Sequence, residues 1–250
     1  METILGLLEF FALSLSLGVA IFSFLIETKE TGSGAIKLMH TISLVSLIGA
    51  MIVHVALGSA GFNAYWLLVP LLLTSFIRFA HQEERSLIQY VAMSANSIVL
   101  VAIFYFFSQQ DLLRFFFNTV SGIFLGGMVF EMVLGHWYLV VPKLSERFLK
   151  HGLYLLLPFM MIKIFMSGYF LFFTEGKRSL QNLDMFNSII ALMRVCEGYI
   201  IVGVLGFLSY KLVKMRSIQS ATGIFYVMVF FVFVGELISK YMFEKYGLIL

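Results

Sequence analysis

Eight predominantly apolar runs occupy the chain, at residues 3–26, 35–57, 62–80, 87–107, 115–141, 152–174, 185–210 and 222–243. A hydrocarbon core about 30 Å thick is crossed by about 20 helical residues, so each run has roughly the length of a membrane span. The separators are short and polar, such as His81-Gln82-Glu83-Glu84-Arg85 and Glu175-Gly176-Lys177-Arg178. None is long enough to hold an extramembrane domain. Polar–apolar alternation over about ten residues, which would mark a membrane barrel, is absent. The sequence therefore predicts an all-α, polytopic integral membrane bundle of eight transmembrane helices, with residues 1–250 as a single domain.

Composition excludes the alternatives. Sixty per cent of the 250 residues are hydrophobic and 12% are charged. A soluble domain is about half apolar and about a quarter charged, and one this size could not bury the excess. The one cysteine, Cys196, permits no intrachain disulfide and no multi-cysteine metal site. No basic patch with interleaved aromatics points to nucleic acid. The opening Met1-Glu2-Thr3 lacks the positive segment of a signal peptide, so the first run is expected to stay in the bilayer.

Lysine and arginine in and beside the loops set the orientation. Ten of the 17 lie at the first, third, fifth and seventh loops, five lie on the opposite side, and Lys163 and Arg194 fall inside spans. The expectation is a multi-pass protein of the cell (inner) membrane with both termini outside. Kinks are expected at Pro70 and Pro158. Gly122–Gly126 and Gly203–Gly206 are expected to mark close helix contacts.

Ionisable residues inside spans cost about 2.5–3.5 kcal/mol on insertion scales, so they face the bundle interior and take partners. The main ones here are Glu9, His40, His54, Glu131, His136, Lys163, Arg194, Glu197 and Glu236, with Lys240 near an end. Helical spacing predicts the pairs Arg194–Glu197 and Glu236–Lys240, and similar depth suggests Glu131–Lys163. Four acids against three bases leave one acid unmatched, and desolvation disfavours its charged form.

Three functional readings follow from these groups. His40 and His54 are fourteen residues apart, so both rings point to nearly one helix face. This spacing resembles that of the cytochrome b family, in which one helix serves two stacked haems. The second pair that the resemblance requires, His136 and His151, is interrupted by Pro142 and the charged run that follows, so a two-haem arrangement is not expected. His40 and His136 share a depth on different spans. They are the expected axial ligands, and so the metal-binding residues, of a single b-type haem between spans two and five. That haem would exchange electrons with quinone, with Glu131 and Glu197 as candidate catalytic proton groups. The second reading is a proton- or ion-coupled transporter or channel whose path runs through Glu131, Lys163, Arg194, Glu197 and Glu236. A third is a non-catalytic subunit or assembly factor of a larger membrane complex, in which the charges only organise the bundle.

Overall fold

The computed structural model describes residues 2–58, 63–80, 87–141, 144–173, 180 and 183–250. Apolar composition and the absence of competing water drive the backbone to satisfy its own hydrogen bonds, which a helix does within one segment. The main helices are α1 (Glu2–Phe22), α3 (Ser33–Leu57), α4 (Leu68–Phe79), α5 (Leu87–Phe107), α6 (Leu112–Val140), α7 (Arg147–Phe173), α8 (Met185–Val195), α9 (Val202–Lys214) and α10 (Ile218–Tyr246). The short α2 (Thr28–Thr31) bridges α1 and α3. A π-helical turn, Cys196–Ile201, joins α8 to α9 as one rod, Met185–Lys214.

Among the described residues seven helices are long and apolar enough to cross a membrane. The expected eighth, at 62–80, is a shorter apolar helix, Ala64–Phe79. It starts as a 3-10 turn, Ala64–Leu67, with the Asn63 side chain accepting from the Tyr65 amide at 3.1 Å. Pro70 follows in the first turn of α4, where a missing N–H costs nothing. α7 continues as one helix through Pro158.

Helix α1 lies between α3 and α6, and α6 in turn packs on α7 and α10. Glycine sets the α1–α6 distance. A methyl group on Gly18 would meet the Gly126 backbone at 2.2 Å, and one on Gly126 would meet the Ser14 carbonyl oxygen at 2.1 Å. The two backbones touch there, as small residues allow in membrane bundles. α6 is buried on most of its surface, so the polar residues it carries lie in the interior. Helix α4 fits between α3 and α5. At one end Arg78 Nε donates to Thr41 Oγ1 at 2.7 Å, and Gln89 Nε2 donates to the Ala80 carbonyl at 2.8 Å. At the other end Trp66 stacks on Phe106, with ring centroids 6.3 Å apart.

Candidate functional site: a buried charge cluster on α6, α7, α8 and α10

The interior holds two fully buried cations around one buried carboxylate. Lys163 on α7 has Nζ on Glu236 Oε1 of α10 and also donates to Ser121 Oγ of α6 at 2.7 Å. Arg194 on α8 approaches the same Glu236 oxygen through Nη2 at 3.3 Å. The same Nη2 lies 3.0 Å from the Tyr199 hydroxyl, which is paired with Ser167 Oγ at 3.1 Å. Arg194 Nε donates to the Leu250 carbonyl oxygen at 3.2 Å, and its Nη1 has no acceptor among the described residues. The Lys163 ammonium also lies 4.9 Å from the Phe117 ring centroid, and the Arg194 guanidinium 4.3 Å from that of Tyr199.

The backbone makes room for this cluster. A methyl group on Gly198 would come within 2.2 Å of Arg194 Nη1, and one on Gly235 within 2.6 Å of it. Gly235 also faces the Gly198 Cα, at 2.9 Å from its own added methyl position. The guanidinium therefore occupies a slot where the π turn and α10 lack side chains. The π turn also explains the partner. Widening the helix brings Tyr199, five residues on, beneath Arg194, and leaves Glu197 half-buried beside the cluster.

The pairs expected from helical spacing are thus rearranged. Arg194 takes Glu236 in place of Glu197, and Lys163 takes Glu236 in place of Glu131. Lys240 bonds Asn118 Oδ1 at 2.6 Å, and Asn118 passes the chain on to Ser108 Oγ at 2.8 Å. The Lys240 ammonium sits 4.4 Å from the Phe10 ring centroid and has Glu236 and Glu244 as its electrostatic neighbours. Polar contacts therefore lead inward from Ser108 through Asn118 to Lys240, one helical turn beyond Glu236 on α10.

Glu131 stands apart. It is fully buried, and neither carboxyl oxygen has a hydrogen-bond partner among the described residues. Its carboxyl lies against α7 where Gly152 has no side chain, since a methyl group there would fall 1.4 Å from Oε1. Ten residues of α6 separate Glu131 from Ser121, about 15 Å along the axis. Because both cations go to Glu236, Glu131 and Glu197 each have no salt-bridge base among the described residues, where charge counting left one acid unmatched.

The histidines divide. His40 and His54 lie on one buried stripe of α3. His54 Nδ1 pairs with Glu9 Oε1 of α1 at 2.7 Å, and both side chains are buried. His136 is exposed on α6, and its Nδ1 lies 3.5 Å from the Tyr226 hydroxyl of α10. α3 and α6 meet near the end of α6 that carries His136, where Gly34 lies against the Trp137 ring, and His40 is buried while His136 is exposed. Among the described residues no group of three His, Cys, Asp or Glu could hold a metal ion.

Sequence reasoning missed Ser121, Asn118 and Tyr199 as cluster members and Glu9 as the partner of His54. Asn118, a polar amide inside an apolar run, was the one visible signal. The Tyr199 contact depends on a π turn that composition does not announce. Comparisons with known protein families, curated proteins and solved structures found no match for the chain.

Proposed function

We propose that the chain is a proton-coupled membrane carrier, with the Lys163–Glu236–Arg194 cluster as its proton-loading group and Glu131 as a second exchange site. The observation that carries this reading is one buried carboxylate oxygen shared by two cations. Arginine stays charged, so within the Lys163–Glu236–Arg194 group Lys163 is the cation able to exchange a proton. Burial without compensation is costly, which is why such groups in membranes mark ion and proton routes. Glu131 supplies a carboxyl able to take up and release a proton, with no cation to hold it in one state.

The threading belongs to the same proposal: eight crossings, both termini on the outer face, in the cell membrane. Ala64–Phe79 supports a crossing because its ends are level with the ends of its neighbour. It runs from Trp66, beside Phe106, to Ala80, beside Gln89, so it covers about 26 Å of the length of α5. On that topology the Ser108–Asn118–Lys240 contacts open toward the outside and Glu131 lies nearer the cytoplasm.

Purified protein in liposomes tests the reading. With a potassium diffusion potential imposed, a lumenal pH dye reports proton flux above that of empty vesicles. Glu131→Gln and Lys163→Met are expected to lower it by roughly tenfold or more, comparable to loss of a proton-transfer group. Gly152→Ala, which displaces the Glu131 carboxyl, is expected to act like Glu131→Gln. Wild-type flux in both Glu131→Gln and Lys163→Met, or no flux above empty vesicles, rejects the proposal. Stable co-purification with a larger complex would then favour a structural subunit.

A further inference from the structure

A separate cavity of about 190 Å³ opens between α6, α7 and α9, with Met228 of α10 at its base. Its walls are apolar, with Phe124, Met128, Leu157, Met160 and Phe207 prominent. Gly203 and Gly206 of α9 form part of the lining and face Met160 Cε and Met228 Cε at ordinary contact distances of 3.7 and 3.5 Å from their added methyl positions. These glycines therefore do not mark a close backbone approach, as Gly18 and Gly126 do. They leave open space beside two flexible methionines, which adapt to irregular apolar shapes.

We propose that this cleft binds the acyl chain of an anionic single-chain amphiphile, with its head group held by Tyr154, Tyr210 and Lys211. Three observations support the occupant. The mouth is flanked by exposed side chains of Tyr154, Leu157 and Phe207, on helices long and apolar enough to span a membrane, so the cleft opens sideways to acyl chains. An apolar cavity of this kind does not hold water. The polar groups are at one end only. There the Tyr154 hydroxyl donates to the Tyr210 hydroxyl, and the Lys211 ammonium lies 4.4 Å from the ring centroid of Phe207, itself a wall of the cleft.

The direction of the cleft matches that of a lipid. Tyr210 is four residues from the end of α9 at Lys214, about 6 Å along the axis. Met160 and Gly203 lie deeper, toward the middle of their rods. Head group near the helix ends and chain toward the centre is the orientation of an amphiphile in one leaflet. The charge at that end is mostly positive. Lys211 and Lys214 are exposed there, while Glu146, the acid nearby, is engaged by Lys150 at 3.2 Å and Arg216 at 3.3 Å. This favours a carboxylate or phosphate head.

The inference is independent of proton transport and is tested by binding. Full-length protein in nanodiscs of neutral phosphatidylcholine is photolabelled with diazirine palmitate, diazirine palmityl alcohol or diazirine phosphatidylglycerol, and the labelled peptides are mapped. Palmitate is expected on the α7 and α9 peptides around Leu157 and Phe207, and excess unlabelled palmitate suppresses that labelling selectively. Gly206→Leu and Gly203→Leu fill the cleft and reduce it by about tenfold. Lys211→Gln weakens palmitate labelling but not that by the neutral alcohol. Labelling by the phosphatidylglycerol probe alone, at the same peptides, overturns the single-chain occupant and assigns the cleft to a bilayer phospholipid. Labelling spread over all lipid-facing helices, or unaffected by competitor, overturns the proposal. So does unchanged labelling in glycine variants that melt like the wild type.

Discussion

At the scale of single residues, Glu236 is the side chain on which most of the buried charge depends. Lys163 and Arg194 both approach its Oε1, so its removal strands two cations where no water can reach them. Breaking a buried ion pair by deleting one member costs about 3–5 kcal/mol, because the partner stays behind uncompensated. Glu236→Ala is therefore expected to destabilise the protein by at least that range. Lys163→Met is expected to cost clearly less, because Arg194 and Glu236 remain as a pair. Unfolding of the two variants in mixed micelles measures the difference, and equal stabilities would contradict the shared-oxygen geometry. Glu131 responds differently. With neither oxygen bonded among the described residues, Glu131→Gln removes no salt bridge seen there and is expected to leave stability within about 1 kcal/mol of the wild type.

At the scale of elements, two contacts make contrasting predictions. The α1–α6 crossing has backbone against backbone at Gly18 and Gly126, so even Gly126→Ala forces the helices apart. Overpacking of this sort costs about 1–3 kcal/mol, and the shift is expected in a thermal melt. The second contact is an exposed tie at the entry to α7. Glu146 bonds Lys150 within the helix and Arg216 in the turn before α10. A hydrogen bond from its own backbone amide, then Lys150, then the charge of Arg216 hold its carboxyl below the ordinary glutamate range. A group with a lowered folded-state pKa contributes stability that is fully present above its unfolded value, about 4.3, and is lost as pH falls through the folded value. Melting curves between pH 7 and pH 3 are expected to show a small acid-side loss that Glu146→Gln removes. An identical pH profile in the variant would show that the tie contributes nothing.

At the scale of the whole molecule, α6 joins two groups of helices, with α1, α3 and α5 on one side and α7 and α10 on the other. The charge cluster belongs to the second group and the Glu9–His54 pair to the first. The proposed threading places Gln110 and Tyr246 on one face of the membrane and Ser145 and Met215 on the other. Cys196 is the one native cysteine, so Cys196→Ser provides a clean background for labelling. Single cysteines at those four positions are expected to react with an impermeant maleimide in two opposed pairs, the first pair from outside intact cells. Lys29→Cys, on the other side of Ala64–Phe79 from Gln110, is expected to react as the second pair does, and its reaction from the same side as Gln110→Cys would refute the eight-crossing topology.

The membrane class, the helical content and most helix limits follow from apolar run length alone, because a run of that length can satisfy its backbone in lipid only as a helix. Leu87–Phe107 matches its predicted limits at both ends. The same logic singled out Lys163, Arg194, Glu236 and Glu131 as interior groups, since burial of a charge is costly wherever the helices turn. Their partners were decided by tertiary structure. Lys163 and Glu236 are 73 positions apart, and no local periodicity encodes which helix faces which. The π turn at Cys196–Ile201 overrode the three-residue spacing that joined Arg194 to Glu197. His40 is buried on α3 and His136 exposed on α6, a difference in burial that depth along the membrane normal does not encode. Depth is a one-dimensional property that hydropathy carries. Azimuth and neighbour are set by how side chains fit together across helices, with Gly18 against Gly126 and Gly198 against Gly235 fixing the closest contacts.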